Sequence, residues 1–203
     1  MPPWTLYASH RSPFVRKVRM ALHEAGLADR VALVPVTTNP MRPAPELAAV
    51  TPLGMIPVLV IEAGEAICDS HAILDFLSGL HPALFPAAGP DRRAVLQRHA
   101  LADGVMDKAV RWLDERFRSP NPDTAAHIAG HAAAIRASLA VWEEAAPGWT
   151  RAAPDAGDLA VFCALAYLDF RFPEVTWRRD APALAAWFAA MHKRASAQAT
   201  RHP

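Results

Sequence analysis

A chain of 203 residues with a formal net charge of +1 can build one large core or two small ones, and it has no charge excess to hold a polyanion. With 52% hydrophobic and 20% charged residues it is too apolar to be disordered, and its two cysteines, Cys68 and Cys163, lack disulfide-framework or zinc-ligand spacing. No apolar run approaches the roughly 18 residues of a membrane span and no basic-then-apolar leader opens the chain, so we expect a cytoplasmic protein working without nucleic acid, membrane or metal.

Trp4–Ala8 reads as a first strand. Ser12-Pro13-Phe14 then has the composition of a helix start: a hydroxyl that accepts from free backbone N–H groups, and a proline whose missing N–H is not needed in the first turn. Val15, Val18, Leu22 and Ala25 recur at helical spacing, and Gly26 supplies the stop. Arg16, Lys17 and Arg19 are assigned to the solvated side of this helix. Residues 31–36 read as a second strand, with Pro35 marking an edge or an end. A proline-rich loop through Pro40, Pro43 and Pro45 leads to a helical turn at 46–50.

Residues 57–62 form a third predicted strand, turned by Ala63-Gly64 into a fourth at 65–68. Ser70 is placed as the cap of a helix carrying Ile73, Leu74, Phe76 and Leu77. The order βαβ, loop, ββα describes a small α/β domain over residues 1–80. Residues 81–89 carry the proline and glycine punctuation of a linker. From there to residue 203 the chain is alanine-rich and helical in period, with helices expected at 91–118, 123–145, 155–170 and 182–195. Asp155 and Asp158 have the spacing of a capping box at the third of these. Cys163 falls inside its apolar run, as a core residue.

Three places carry chemistry. At Ser12 the free N–H groups and the positive end of the helix dipole can hold an anion beside a hydroxyl. At Gly54-Met55-Ile56-Pro57 two readings stand. One is a trans proline at a strand start. The other is a cis proline that turns the backbone groups of Ile56 outward, to pair with an extended peptide. At Asp69-Ser70 there are again two: plain helix capping, or a grip on an α-amino acid end, with N–H and hydroxyl for the carboxylate and Asp69 for the ammonium.

These motifs, in this order, resemble the glutathione S-transferase superfamily over essentially the whole chain. The resemblance rests on Ser12-Pro13-Phe14-Val15-Arg16-Lys17-Val18, Pro52-Leu53-Gly54-Met55-Ile56-Pro57-Val58-Leu59, Asp69-Ser70-His71-Ala72-Ile73-Leu74-Asp75-Phe76-Leu77 and Asp155-Ala156-Gly157-Asp158-Leu159. The run Ala164 to Arg171 is most similar to serine-using bacterial members described as YibF-like. The resemblance implies a thioredoxin-like N-terminal domain followed by a helical-bundle C-terminal domain, assembled as a homodimer.

It also implies roles. Ser12, with Phe14 beside it, falls where serine-type members donate a hydroxyl hydrogen to the glutathione sulfur. Cysteine-type members carry a thiol there instead. Pro57 matches the family's cis proline, with Ile56 giving backbone bonds to glutathione. Asp69-Ser70 matches a pair that usually reads Glu-Ser and grips the γ-glutamyl end; aspartate is one methylene shorter. The second substrate is expected between the domains, against the first long helix, with Met106, Ala109 and Trp112 as its wall and Val105 and Leu113 as further candidates. Tyr7 and Ser9 are rivals for the Ser12 hydroxyl. His10 and Arg11 are read as loop residues, His71 as an exposed residue, and Cys68 as a thiol badly placed for catalysis. The implied activity is conjugation of the glutathione thiolate to a small electrophile, with glutathione as co-substrate. A glutathione-binding regulatory protein of the same fold is the second reading.

Overall fold

The computed structural model describes residues 3–39, 41–62, 64–149 and 152–203. Pro40 of the proline-rich loop and Ala63 of the expected turn lie outside the described residues. The chain divides into two compact units, Met1–Arg93 with Ala195–Pro203, and Ala94–Arg194. The segment 195–203, assigned from the sequence to the helical part, belongs to the first unit.

The first unit is built on a four-stranded mixed sheet in the order β2-β1-β3-β4, with β1 at Trp4–Ala8, β2 at Val31–Pro35, β3 at Val58–Val60 and β4 at Ala66–Ile67. This is a thioredoxin-like fold. β1 runs parallel to β2 and antiparallel to β3, and β3 is antiparallel to β4. Residues Trp4, Leu6 and Ala8 alternate into the core, as a strand with one buried face requires. β3 and β4 are shorter than predicted because an apolar run marks burial, whereas ladder hydrogen bonds set strand length.

α1 (Pro13–Glu24) packs on α3 (Ser70–Ser78), and α2 is the single turn Pro45–Ala48. α1 ends as expected. Gly26 takes φ of 68°, its N–H donates to His23 C=O, and Leu27 N–H donates to Leu22 C=O, which is the Schellman pattern. Cys68, between β4 and α3, is exposed, with its sulfur 3.8 Å from Thr51 Oγ1.

The basic run on α1 departs from expectation. Lys17 has 0% exposure, Arg16 is also buried and Arg19 is half-buried. A short helix, α9 (Ala195–Ala199), packs on α1 at the side of Arg16 and Arg19, and Arg16 Nη2 donates to its Ala197 carbonyl at 3.3 Å. The reading of a solvated face used helical period within α1 alone. The segment that packs there comes from the far end of the chain.

The second unit is helical: the remainder of α4 (Pro90–Phe117), then α5 (Thr124–Ala145), α6 (Ala156–Arg171), α7 (Trp177–Asp180) and α8 (Pro182–His192). Every residue of α6 from Ala156 to Leu168 is buried, as befits a helix that is apolar all round and sits in the centre of its unit. Phe162 stacks on Phe188 at 4.8 Å between ring centroids, and Cys163 is core. The α6 start is a complete capping box. Asp155 accepts from Asp158 N–H at 3.0 Å, and Asp158 Oδ2 accepts from Asp155 N–H at 3.1 Å. Arg98 Nη2 donates to both Asp155 oxygens, at 2.7 and 2.6 Å.

A Cβ on Gly157 would lie 2.9 Å from Arg98 Nε and 3.0 Å from the Val95 carbonyl oxygen. The backbone oxygen cannot swing aside, so Gly157→Ala should destabilise the protein by about 1–3 kcal/mol. Urea denaturation of the variant checks this; an unchanged midpoint would mean that α4 shifts freely.

Candidate functional site

The strand register gathers the three predicted places along one edge of the sheet, the rim where β1 finishes and β3 begins. Tyr7 lies opposite Val58, so Pro57 is level with Ala8, where β1 ends and the loop to Ser12 begins. Leu59 lies opposite Ile67, which brings the chain after β4, Cys68 and Asp69, to the same level. The N-termini of α1 and α3 therefore open at the edge where Pro57 enters β3. The Ile56–Pro57 peptide is cis, as the second of the two readings of Pro57 required. The Cys68–Asp69 peptide is also cis.

Ser12 is the N-cap of α1 and its Oγ accepts from Val15 N–H at 3.3 Å. Its hydroxyl hydrogen has no acceptor among the described residues. Arg16 N–H is taken by the Ser12 carbonyl and Pro13 has no N–H, so among the described residues the Phe14 amide is the first-turn donor left uncommitted there. The Ile56 N–H and C=O likewise make no hydrogen bond among the described residues.

At α3 the cap is Asp69, not Ser70 as predicted. Asp69 Oδ1 accepts from His71 N–H at 2.8 Å and from Ala72 N–H at 3.3 Å. Aspartate and serine cap equally well, so composition did not separate them. Asp69 is exposed, and its second oxygen, Oδ2, has no partner among the described residues. Ser70 is the first helical residue, buried, and its own amide has no hydrogen-bond partner among the described residues.

This edge thus offers an anion-holding helix start with a donating hydroxyl, an unpaired peptide unit, and a second helix start with a carboxylate beside it. Such a set suits an extended peptide that carries an anionic group and an α-amino acid end.

Two threonines, not found by sequence reasoning, hold the loop before Pro57. Thr38 Oγ1 donates to the Gly54 carbonyl at 3.2 Å, and the buried Thr51 receives Leu53 N–H on its hydroxyl at 3.4 Å. Gly54, at φ 59°, is where that loop needs a residue tolerant of the left-handed region. Thr51-Pro52 repeats the hydroxyl-proline pattern of Ser12-Pro13 and could have been noticed.

The rivals are placed too. Tyr7 is half-buried against the cluster of Val36, Leu47 and Val58. Ser9 turns the loop, its carbonyl accepting from Ser12 N–H at 3.0 Å and its hydroxyl from Arg11 N–H at 3.4 Å. His10 and Arg11 are exposed. Burial and then the charge of Arg19 push the His10 pKa below the usual histidine value, so the ring favours its neutral form. His71 is half-buried rather than exposed, its ring 5.8 Å from that of Phe85. Of the expected second-substrate wall, Met106 and Ala109 have no exposed surface. Trp112 lines a cavity of about 430 Å³ within the helical unit, with Ile135, Leu139, Val175 and Trp177.

Among the described residues no His, Cys, Asp and Glu group could hold a metal, and no helix is long and apolar enough to cross a membrane.

A thioredoxin-like unit with this edge, followed by a helical unit, is the architecture of the glutathione transferases. The chain belongs to that family: the models of the glutathione S-transferase N-terminal and C-terminal domains match residues 11–80 and 125–190. It is 31% identical over 183 residues to the uncharacterized GST-like protein YibF of Escherichia coli strain K12, covering 88% of this chain and 89% of that protein. Among solved structures, it is similar to a glutathione transferase family member of Pseudomonas fluorescens Pf-5 with bound glutathione. There the identity is 41% and the TM-score 0.93, over 98% of this chain and 99% of that one. A glutathione S-transferase of Methylobacillus flagellatus with glutathione bound shares 32% identity at a TM-score of 0.86, over 98% of this chain and all (100%) of that one.

Proposed function

We propose that the protein is a glutathione transferase that conjugates the glutathione thiolate to a small, apolar electrophile, with Ser12 stabilising the thiolate. The observation that carries this reading is the state of Ser12. Its oxygen is spent on capping α1, while its hydrogen is free to donate at a helix start that already favours an anion. The uncommitted Ile56 peptide unit would pair with the cysteinyl part of the tripeptide. The Ser70 amide and hydroxyl would take the γ-glutamyl carboxylate, and Asp69 Oδ2 its ammonium. The similar structures that hold glutathione support the choice of tripeptide. The serine forms no covalent bond, because the ligand brings the sulfur. The protein contributes orientation and charge stabilisation.

Glutathione titration by calorimetry, with a panel of model electrophiles assayed in parallel, tests this. Absence of glutathione binding would sink both the activity and the pocket. Binding without turnover of any electrophile would make the protein a glutathione-binding regulatory protein of this fold.

Asp69 offers a sharper check, since asparagine caps a helix as well as aspartate but carries no charge. Asp69→Asn should weaken glutathione binding about 3- to 10-fold while leaving thermal stability in place. Unchanged affinity would restrict Asp69 to capping. The reading includes a homodimer, in which the exposed apolar side chains of Met41, Leu53 and Met55 are candidates for cover. A monomeric mass by light scattering at micromolar concentration would remove it.

A further inference from the structure

The loop Ser9–Ser12 presents the proposed thiolate-stabilising hydroxyl, yet its own bonds are few: Ser12 N–H to Ser9 C=O and Arg11 N–H to Ser9 Oγ. A loop so short of internal bonds needs an outside hold to keep one geometry. That hold comes from the other end of the sequence. His202 Nδ1 lies 2.9 Å from the His10 carbonyl oxygen, and since a carbonyl only accepts, Nδ1 is the donor. Arg19 Nη1 donates to His10 Nδ1 at 2.9 Å, while Nη2 of the same guanidinium donates to the Ala199 carbonyl at 3.2 Å. Arg19 thus ties loop and segment together. Arg16 secures the segment one turn along, through the Ala197 carbonyl. Both carbonyls belong to the C-terminal end of α9, where C=O groups lack helical partners and cations are favoured. Thr200 Oγ1 closes the end of that turn by donating to the Ser196 carbonyl at 2.8 Å.

We propose that residues 195–203 act as a clasp on the Ser12 loop, with His202 as the positioning residue that holds the His10 carbonyl and so fixes where the Ser12 hydroxyl points. The functional half of this inference rests on the reading of Ser12 given above. The structural half does not.

The test uses the full chain in three forms: wild type, His202→Ala, and His202→Asn, whose side-chain amide N–H stands where the imidazole Nδ1–H stood. Hydrogen exchange followed by mass spectrometry should show the Arg11 and Ser12 amides exchanging about 3- to 10-fold faster in His202→Ala, and near the wild-type rate in His202→Asn. The pKa of glutathione thiol bound to the protein, read from ultraviolet thiolate absorbance, should rise in His202→Ala and return in His202→Asn. Wild-type exchange at Arg11 and Ser12 in His202→Ala would overturn the clasp. So would faster exchange spread evenly through α1 and the sheet, which marks general loosening. Ser12→Ala run alongside separates the two claims: if it leaves the bound thiol pKa unchanged, the role of Ser12 falls, and the exchange data alone decide whether the clasp holds the loop.

Discussion

Ser12→Ala should raise the pKa of bound glutathione by about one to two units and lower kcat/KM about 10- to 100-fold near neutral pH. The magnitude follows from the class of bond. A hydrogen bond to a charged acceptor contributes about 1.5–3 kcal/mol, and one pKa unit corresponds to about 1.4 kcal/mol. The sign follows from what the hydroxyl meets. It donates to the thiolate and not to the thiol, so it favours the deprotonated form, and its removal returns the sulfur toward its ordinary value of about 8.5. The defect should therefore shrink as pH rises past the variant's thiol pKa, where thiolate forms unaided.

Ser12 is also the N-cap of α1, so Ser12→Ala loses stability as well, by about 0.5–2 kcal/mol. Ser12→Asp separates the two effects. Aspartate keeps the cap but offers no hydrogen and repels a thiolate, so it should be more stable than the alanine variant and no more active. Stopped-flow turnover across a pH series and thermal melts of both variants give the comparison. Normal turnover in Ser12→Ala, with loss in Ser9→Ala or Tyr7→Phe, would move the hydroxyl role elsewhere in the first unit.

Asp155→Ala should cost about 3–5 kcal/mol of stability, the largest single loss expected in the helical unit. Asp155 is 2% exposed, and its carboxylate serves Asp158 N–H at the α6 start and Arg98 Nη2 on α4 at once. Truncation leaves the Arg98 charge with less compensation in a dry site, which is dearer than losing an exposed cap at about 1 kcal/mol. Against a total stability of about 5–15 kcal/mol, that loss would leave a measurable unfolded fraction and a low yield of folded protein.

Asp155→Asn should fall between, since asparagine keeps the cap and gives up the ion pair. In the double variant with Arg98→Ala the losses should be less than additive, because the two side chains touch. Chemical denaturation of the four proteins checks this. A loss near 1 kcal/mol for Asp155→Ala, additive with Arg98→Ala, would reduce Asp155 to an ordinary cap.

The parts of the site that the sequence made legible are those governed by near neighbours. Ser12 and Pro13 specify a helix start from two adjacent residues, and Gly26 a stop, because both depend on backbone geometry within one turn. The box at Asp155 and Asp158 was legible for the same reason. Where two adjacent residues could do one job, as Asp69 and Ser70 at the α3 start, local chemistry left the choice open and the structure gave it to Asp69.

Illegible from the sequence was whatever depends on distant chain. Arg16 and Lys17 look solvated in a helical projection of α1, yet both are buried, and the carbonyl that Arg16 meets lies on α9, some 180 positions away. The family resemblance puts Met106 and Ala109 on a binding wall, and both have no exposed surface; periodicity shows that a face is covered and not by what.

By itself, then, the sequence determined the helix start at Ser12 and the capping box at Asp155 and Asp158, because each is written within a few residues by propensity and capping. Only the tertiary structure decided that Ser12, Ile56 and Ser70 share one edge, since strand register sets that. The tertiary structure alone also brought His202 to the Ser12 loop, since chain closure over nearly the whole sequence leaves no local trace.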